Sequence, residues 1–111
     1  MTQHFGQTIL LRDAPGVVDD YERYHAAIWP EVAAGLRAVG IEQMRIWRIG
    51  RRLFMHMETT DTFDATRDFG RYERDTHRAA EWQRLMESLQ EPVPEARPGD
   101  WWAQMKLVFE L

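Results

Sequence analysis

Apolar positions change their period several times along the chain, and each change marks an element. Residues 7 to 11, QTILL, form a short apolar run of buried-strand length. DAPG at residues 13 to 16 is turn chemistry. From Val17 to about Val39 the spacing turns helical, with Val18, Tyr21, His25, Ile28, Val32 and Leu36 recurring at three and four. Gly40 suits the position just past the end of that helix. Residues 41 to 49 (IEQMRIWRI) and 52 to 58 (RLFMHME) read as two strands, and the Gly-Arg step between them predicts a tight hairpin. TTDTF, residues 59 to 63, offers a Thr or Asp N-cap. Helical spacing then runs from about Thr62 to Leu89, with a break expected between Tyr72 and Thr76. Prolines bar regular structure from EPVPEARPGD, residues 91 to 100. The closing WWAQMKLVFEL is expected to be a strand.

The predicted order is β-α-β-β-α-β, the ferredoxin-like α+β arrangement. It implies a four-stranded antiparallel sheet with both helices on one face. The other face needs a cover, and the chain has no spare helix to supply it. A second copy of the same sheet is the simplest cover, so a homodimer is expected. No repeat, low-complexity tract or linker divides the chain, and its 111 residues suit one domain, 1–111.

Composition narrows the function classes. An apolar fraction of 44% supports one modest core. The net charge is −4 and the Lys and Arg residues are scattered, which argues against a nucleic-acid or acidic-membrane partner. Without cysteine, neither disulfides nor thiolate metal sites can form. No apolar run approaches membrane-spanning length, and MTQHFGQTILLR lacks the layout of a signal peptide, so a cytoplasmic location is expected. Neither a Gly-rich phosphate loop nor paired metal-ligand spacing is visible.

The candidate chemistry lies in YERYHAAIWPEV, residues 21 to 32. Tyr21 and His25 are four apart, so they stack on one helix face, and Ile28 and Val32 continue that face inward. Pro30 cannot donate to the carbonyl of Ala26, so the helix must kink or start afresh with Pro30 at its first position. Such a bend beside a Tyr/His pair can open a pocket. The plainer reading makes both residues hydrogen-bonded core and Pro30 a simple bend; the spacing alone leaves both open.

The same segment resembles the signature of the L-rhamnose mutarotase family, a Tyr-x-x-x-His pair before an apolar-Trp-Pro-Glu stretch. The likeness continues in GIEQMRIWRIGRRLFMHME, similar to the family's central hairpin, in EWQRLM, similar to its second helix, and in LVFEL, similar to its closing strand. It implies a dimeric ferredoxin-like α+β barrel that interconverts the α and β anomers of a 6-deoxyhexose with no cofactor and no metal. It also implies that His25 is the proton donor and that Tyr21 binds the sugar. The chemistry suits these residue types. Opening a hemiacetal requires a base at the anomeric hydroxyl and an acid at the ring oxygen, and histidine can serve as either near neutral pH. Trp82 and Trp102 are candidates to stack on the sugar, whereas Trp47 and Trp101 suit core or dimer interface better.

Two positions depart from the rhamnose-type pattern. A Trp-Trp pair on the second helix becomes Trp82-Gln83, and a sugar-contacting tyrosine on the strand after the first helix is replaced by Met44. Both fall where substrate is read. RIGRRLFMHME, the single Trp82 and PGDWW look more like members associated with L-fucose. His56, between Met55 and Met57, faces either the pocket and a sugar hydroxyl or solvent. His4 is expected in a disordered terminus and His77 in solvent. Glu31 is a candidate partner to another side chain, or simply a favourable first-turn acid. A non-catalytic alternative stands beside the enzyme. Dimeric α+β barrels also serve as haem-degrading monooxygenases and effector-binding domains, in which His25 would be a haem ligand or the chain a small-molecule binder.

Overall fold

The computed structural model describes residues 2–111. Strand β1 (Thr2–Leu11) leads into helices α1 (Val17–Ala26) and α2 (Pro30–Ala38), then strands β2 (Ile41–Ile49) and β3 (Arg52–Thr60). Helices α3 (Ala65–Asp75) and α4 (Ala79–Leu89) follow, and two short strands, β4 (Gln90–Glu91) and β5 (Ala103–Gln104), complete the order. The sheet is antiparallel, ordered β2-β3-β1-β4, with β5 also paired to β1. This is the ferredoxin-like arrangement, with β4 and β5 sharing the place of one edge strand.

Strand alternation divides the sheet into two faces. Ile9 and Leu11 of β1, and Leu53, Met55 and Met57 of β3, are buried on the helix side. Ile9 lies directly opposite Leu53 in the β1/β3 register, and neither has appreciable exposure. Truncating either to Ala would cost about 2–5 kcal/mol. From the helices, Val17, Tyr21, Val32, Tyr72, Trp82, Met86 and Leu89 fill the same core.

Of the two outcomes expected at Pro30 in the helical stretch over residues 17 to 39, a kink or a fresh start, the structure shows the fresh start, and the stretch is two helices. Trp29 has φ −64 and ψ 127, the extended conformation a following proline imposes, and Pro30 opens α2 where its missing N–H costs nothing. Gly40, at φ 105, ends α2 in a conformation that suits glycine. Gly50 and Arg51 form the two-residue hairpin between β2 and β3, with Gly50 at φ 58. The second helical region breaks at residues 76 to 78, slightly later than expected, where Arg78 has φ 67.

Three other expectations change. The N-cap of α3 is Asp64, just past TTDTF, and its carboxylate accepts from the Arg67 N–H at 2.8 Å. The first strand reaches back to Thr2, so His4 is strand rather than loose terminus and lies opposite Glu58. The closing strand is short. Ala103 and Gln104 pair with β1 and the Met105 N–H reaches the Gly6 carbonyl, but Lys106–Leu111 continues as an exposed tail. A strand pattern needs a partner edge, and the tail meets none after Met105.

Candidate active site

Helix α1 places Tyr21 and His25 one turn apart, and their rings stack with centroids 4.2 Å apart. The Nδ1 of His25 lies 2.8 Å from the Tyr21 carbonyl. A carbonyl only accepts, so Nδ1 carries the proton and the neutral ring keeps its lone pair on Nε2. Burial lowers the His25 pKa from the usual imidazole value, against the opposing effect of that hydrogen bond. The neutral ring, an acceptor at Nε2, is therefore favoured at neutral pH. The Tyr21 hydroxyl is pushed up to about 12 by burial, so it stays a neutral phenol.

Trp82, carried in by α4, packs edge-on to His25 at 5.4 Å, to Trp29 at 5.0 Å and to Tyr24 at 6.3 Å. The Trp-Pro step that starts α2 thus supplies Trp29 to pack on Trp82 behind the catalytic candidate. The Arg78 guanidinium lies 3.8 Å over the Trp29 ring and pairs with Glu31 and Glu81. Glu31 is therefore both a first-turn acid and the ion-pair partner of Arg78.

A cleft of about 450 Å³ opens between these helices and the sheet, a volume typical of small-molecule sites. Six of the seven residues expected at a site line it: Tyr21, His25, Met44, Trp82, Gln83 and Trp102. A second lobe of about 740 Å³ runs along β2 and shares Tyr21, His25 and Met44. The seventh residue, His56, lies elsewhere. Its neighbours Met55 and Met57 point to the core, so alternation turns His56 to the opposite sheet face. There it stacks on His4, with His4 Nδ1 3.0 Å from His56 Nε2. His77 is exposed in the α3–α4 connection.

Sequence reasoning missed two polar residues of the cleft, Gln7 and Gln90, both buried. Gln7 opens the apolar run QTILL, where a buried amide has to find partners. Its Nε2 lies 2.9 Å from the Met55 sulfur and its Oε1 accepts from Gln104 at 2.6 Å. Gln90 sits between Leu89 and the proline-rich segment, and no local pattern marks it.

A ferredoxin-like sheet with a neutral histidine facing an aromatic- and amide-lined cleft defines a small-molecule protein equipped for proton transfer. Comparison with known proteins is more specific. The L-rhamnose mutarotase family model matches residues 4–111. The chain is 36% identical over 110 residues to a UPF0734 protein of Dictyostelium discoideum, covering 96% of this chain and 88% of the relative. It is 35% identical over 107 residues to the L-fucose mutarotase of Xanthomonas campestris, covering 91% and 82%. The fold matches a crystal structure of an L-rhamnose mutarotase from Formosa agariphila with a TM-score of 0.70 and 16% identity, over 98% of both chains. The chain belongs to the L-rhamnose mutarotase family, and so to the sugar-anomer isomerases.

Proposed function

We propose that the protein interconverts the α and β anomers of a 6-deoxyhexose, L-fucose in preference to L-rhamnose, with His25 as its proton-transfer residue. The observation that carries the reading is the polarity of His25: Nδ1 is committed to the Tyr21 carbonyl, which leaves Nε2 to accept a proton. In the opening direction Nε2 takes the proton of the anomeric hydroxyl. The O–H pair forms the carbonyl at C1, and the C1–ring-oxygen pair moves to the ring oxygen, which gains a proton. Rotation about the C1–C2 bond presents the other face of the aldehyde, and closure reverses each transfer. No cofactor is needed for these steps. Trp82 and Trp102 offer apolar surface to the sugar's C–H faces and its methyl group. Gln83 offers an amide to a hydroxyl, and Met44 adds an apolar contact.

The preference for L-fucose rests on Gln83, which departs from the second tryptophan that the family resemblance implies for rhamnose-type members, and on the 35% identity to an L-fucose mutarotase. A homodimer is part of the same reading. Trp47 and Phe54 stack at 5.5 Å on the sheet face away from the helices, and Trp47, Ile49 and Met105 are exposed around them. A second copy would cover that apolar surface. The expected location is cytoplasmic, and no helix among the described residues is long and apolar enough to cross a membrane. Saturation-transfer NMR tests the function: magnetisation should pass between the anomers of L-fucose faster than between those of L-rhamnose. Protein that leaves both exchange rates at their buffer values would overturn the proposal.

A further inference from the structure

We propose that Gln90 and Trp101 are positioning residues that fix the Tyr21 hydroxyl as a hydrogen-bond donor into the cleft, toward the ring oxygen of the sugar. The inference rests on the mutarotase reading and assigns the group opposite His25. The Trp101 indole N–H can only donate, and it does so to Gln90 Oε1 at 2.9 Å. That contact decides which way the Gln90 amide points. Its Nε2 must then face Tyr21, whose hydroxyl oxygen lies 3.4 Å away. An amide NH₂ cannot accept, so the Tyr21 oxygen is the acceptor and its own proton must point elsewhere. At 3.4 Å the contact with Tyr21 is the longer of the two in the relay, and the 2.9 Å bond from Trp101 is what fixes the amide's orientation.

The relay is held rigidly at its middle. Gln90 is 2% exposed and belongs to β4, where it pairs with Leu11 of β1. Trp101 comes from the segment just before β5, so the relay joins two remote stretches to α1. Its outcome matches the substrate. A hemiacetal has one hydroxyl proton to give at C1 and a ring oxygen that can only accept. His25 Nε2 accepts, and Tyr21, whose ring stacks on the imidazole with centroids 4.2 Å apart, donates. In ring opening the anomeric proton goes to Nε2, the C1–O pair goes to the ring oxygen, and that oxygen takes the Tyr21 proton. In ring closure Tyr21 recovers its proton and the imidazolium returns the other. Because the phenol otherwise stays neutral, Tyr21 does not compete with His25 as base.

The test is Gln90→Glu, which preserves size but reverses the relay. When ionised, the substituted carboxylate accepts from both Trp101 and Tyr21, turning the tyrosine's lone pair toward the ring oxygen. When protonated, the same carboxyl can still donate to Tyr21. Anomer exchange should therefore fall about ten- to a hundred-fold in kcat relative to wild type at high pH, with KM little changed, and that deficit should shrink as the pH is lowered toward the range where wild-type exchange itself declines. Trp101→Phe keeps the ring and frees the amide to flip, and it should lose a smaller factor in kcat at every pH; this half-buried site keeps the test usable if Gln90→Glu does not fold. Wild-type activity that Gln90→Glu and Trp101→Phe both retain across the pH range would overturn the relay alone. A wild-type protein that exchanges no sugar's anomers would overturn both the relay and the mutarotase reading.

Discussion

His25 shows how one side chain's local bonds set its chemistry. Helix spacing puts it over Tyr21, and the carbonyl one turn back accepts a hydrogen bond from its Nδ1–H. His25→Ala should then lower the anomer-exchange rate by about a hundred- to ten-thousand-fold, as loss of a general acid–base group does. The fold should survive, because the ring is only half-buried. Measuring thermal midpoint and exchange rate on the same samples separates the roles: a variant that melts early yet exchanges at the wild-type rate when folded would make His25 structural. The pH dependence follows from its lowered pKa. The folded ring protonates less readily than the unfolded one, so between the folded value and the ordinary 6.5 the unfolded chain holds more protons and stability rises with pH. Activity should fall on the acid side with a midpoint below 6.5, since protonated Nε2 cannot act as base. A rate profile with its acid midpoint above 6.5 would contradict a His25 base whose pKa partial burial lowers. Gln83 lines the cleft and is proposed to read the sugar rather than to move protons, so Gln83→Trp should shift the rate ratio from L-fucose toward L-rhamnose. An unchanged ratio would remove residue 83 from substrate recognition.

At the scale of elements, breaks matter as much as helices. The sharp end of α1 and the proline start of α2 bring Trp29 against Trp82 and under Arg78. The start of α3 is defined by Asp64, which caps the Arg67 N–H, while the Asp64 N–H donates to Asp68 at 2.8 Å. Asp68 is buried and pairs with Arg67 and Arg71, whose hydrogen bonds and charge hold its carboxyl well below the usual range. Asp64→Ala should cost about 1 kcal/mol, within the range for lost N-caps, and lower the thermal midpoint by several degrees. Exchange per folded molecule should stay at the wild-type rate, because α3's cap lies outside the cleft and the proposed catalytic pair; a selective fall in rate with no change in melting would place Asp64 in the site instead. The cap falls one short step beyond its expected place because TTDTF and Asp64 carry the same side-chain chemistry. Only the backbone at Asp64, φ −125 and ψ 119, shows where the helix begins.

For the whole molecule, the open sheet face and the tail raise the same question. Phe54 lies over Gly6, where an added Cβ would come within 3.3 Å of its ring, and Trp47 stacks on Phe54. Leu107, Val108, Phe109 and Leu111 are all largely exposed in the tail. The expected outcome of sedimentation at micromolar concentration is a dimer, and Trp47→Arg should shift it toward monomer by placing a charge on the covered face. A wild-type monomer would remove the second copy from the account.

The sequence alone determined the features whose causes lie within a few residues. The Gly-Arg hairpin, the helix end at Gly40, the break at Pro30 and the Tyr21–His25 stack all follow from local backbone limits or from i,i+4 spacing. The family signature was legible for the same reason, since its residues are contiguous. Tertiary structure alone decided what depends on distant partners. Trp82 meets His25 across two helices, and Gln90 reaches Tyr21 only because β4 is registered against β1. A histidine between two methionines fits either sheet face, and His56 is settled only by the placement of those methionines in the core. The tail reads as a strand by its apolar residues, yet Lys106–Leu111 stays out of the sheet, because a strand exists only where an edge receives its hydrogen bonds.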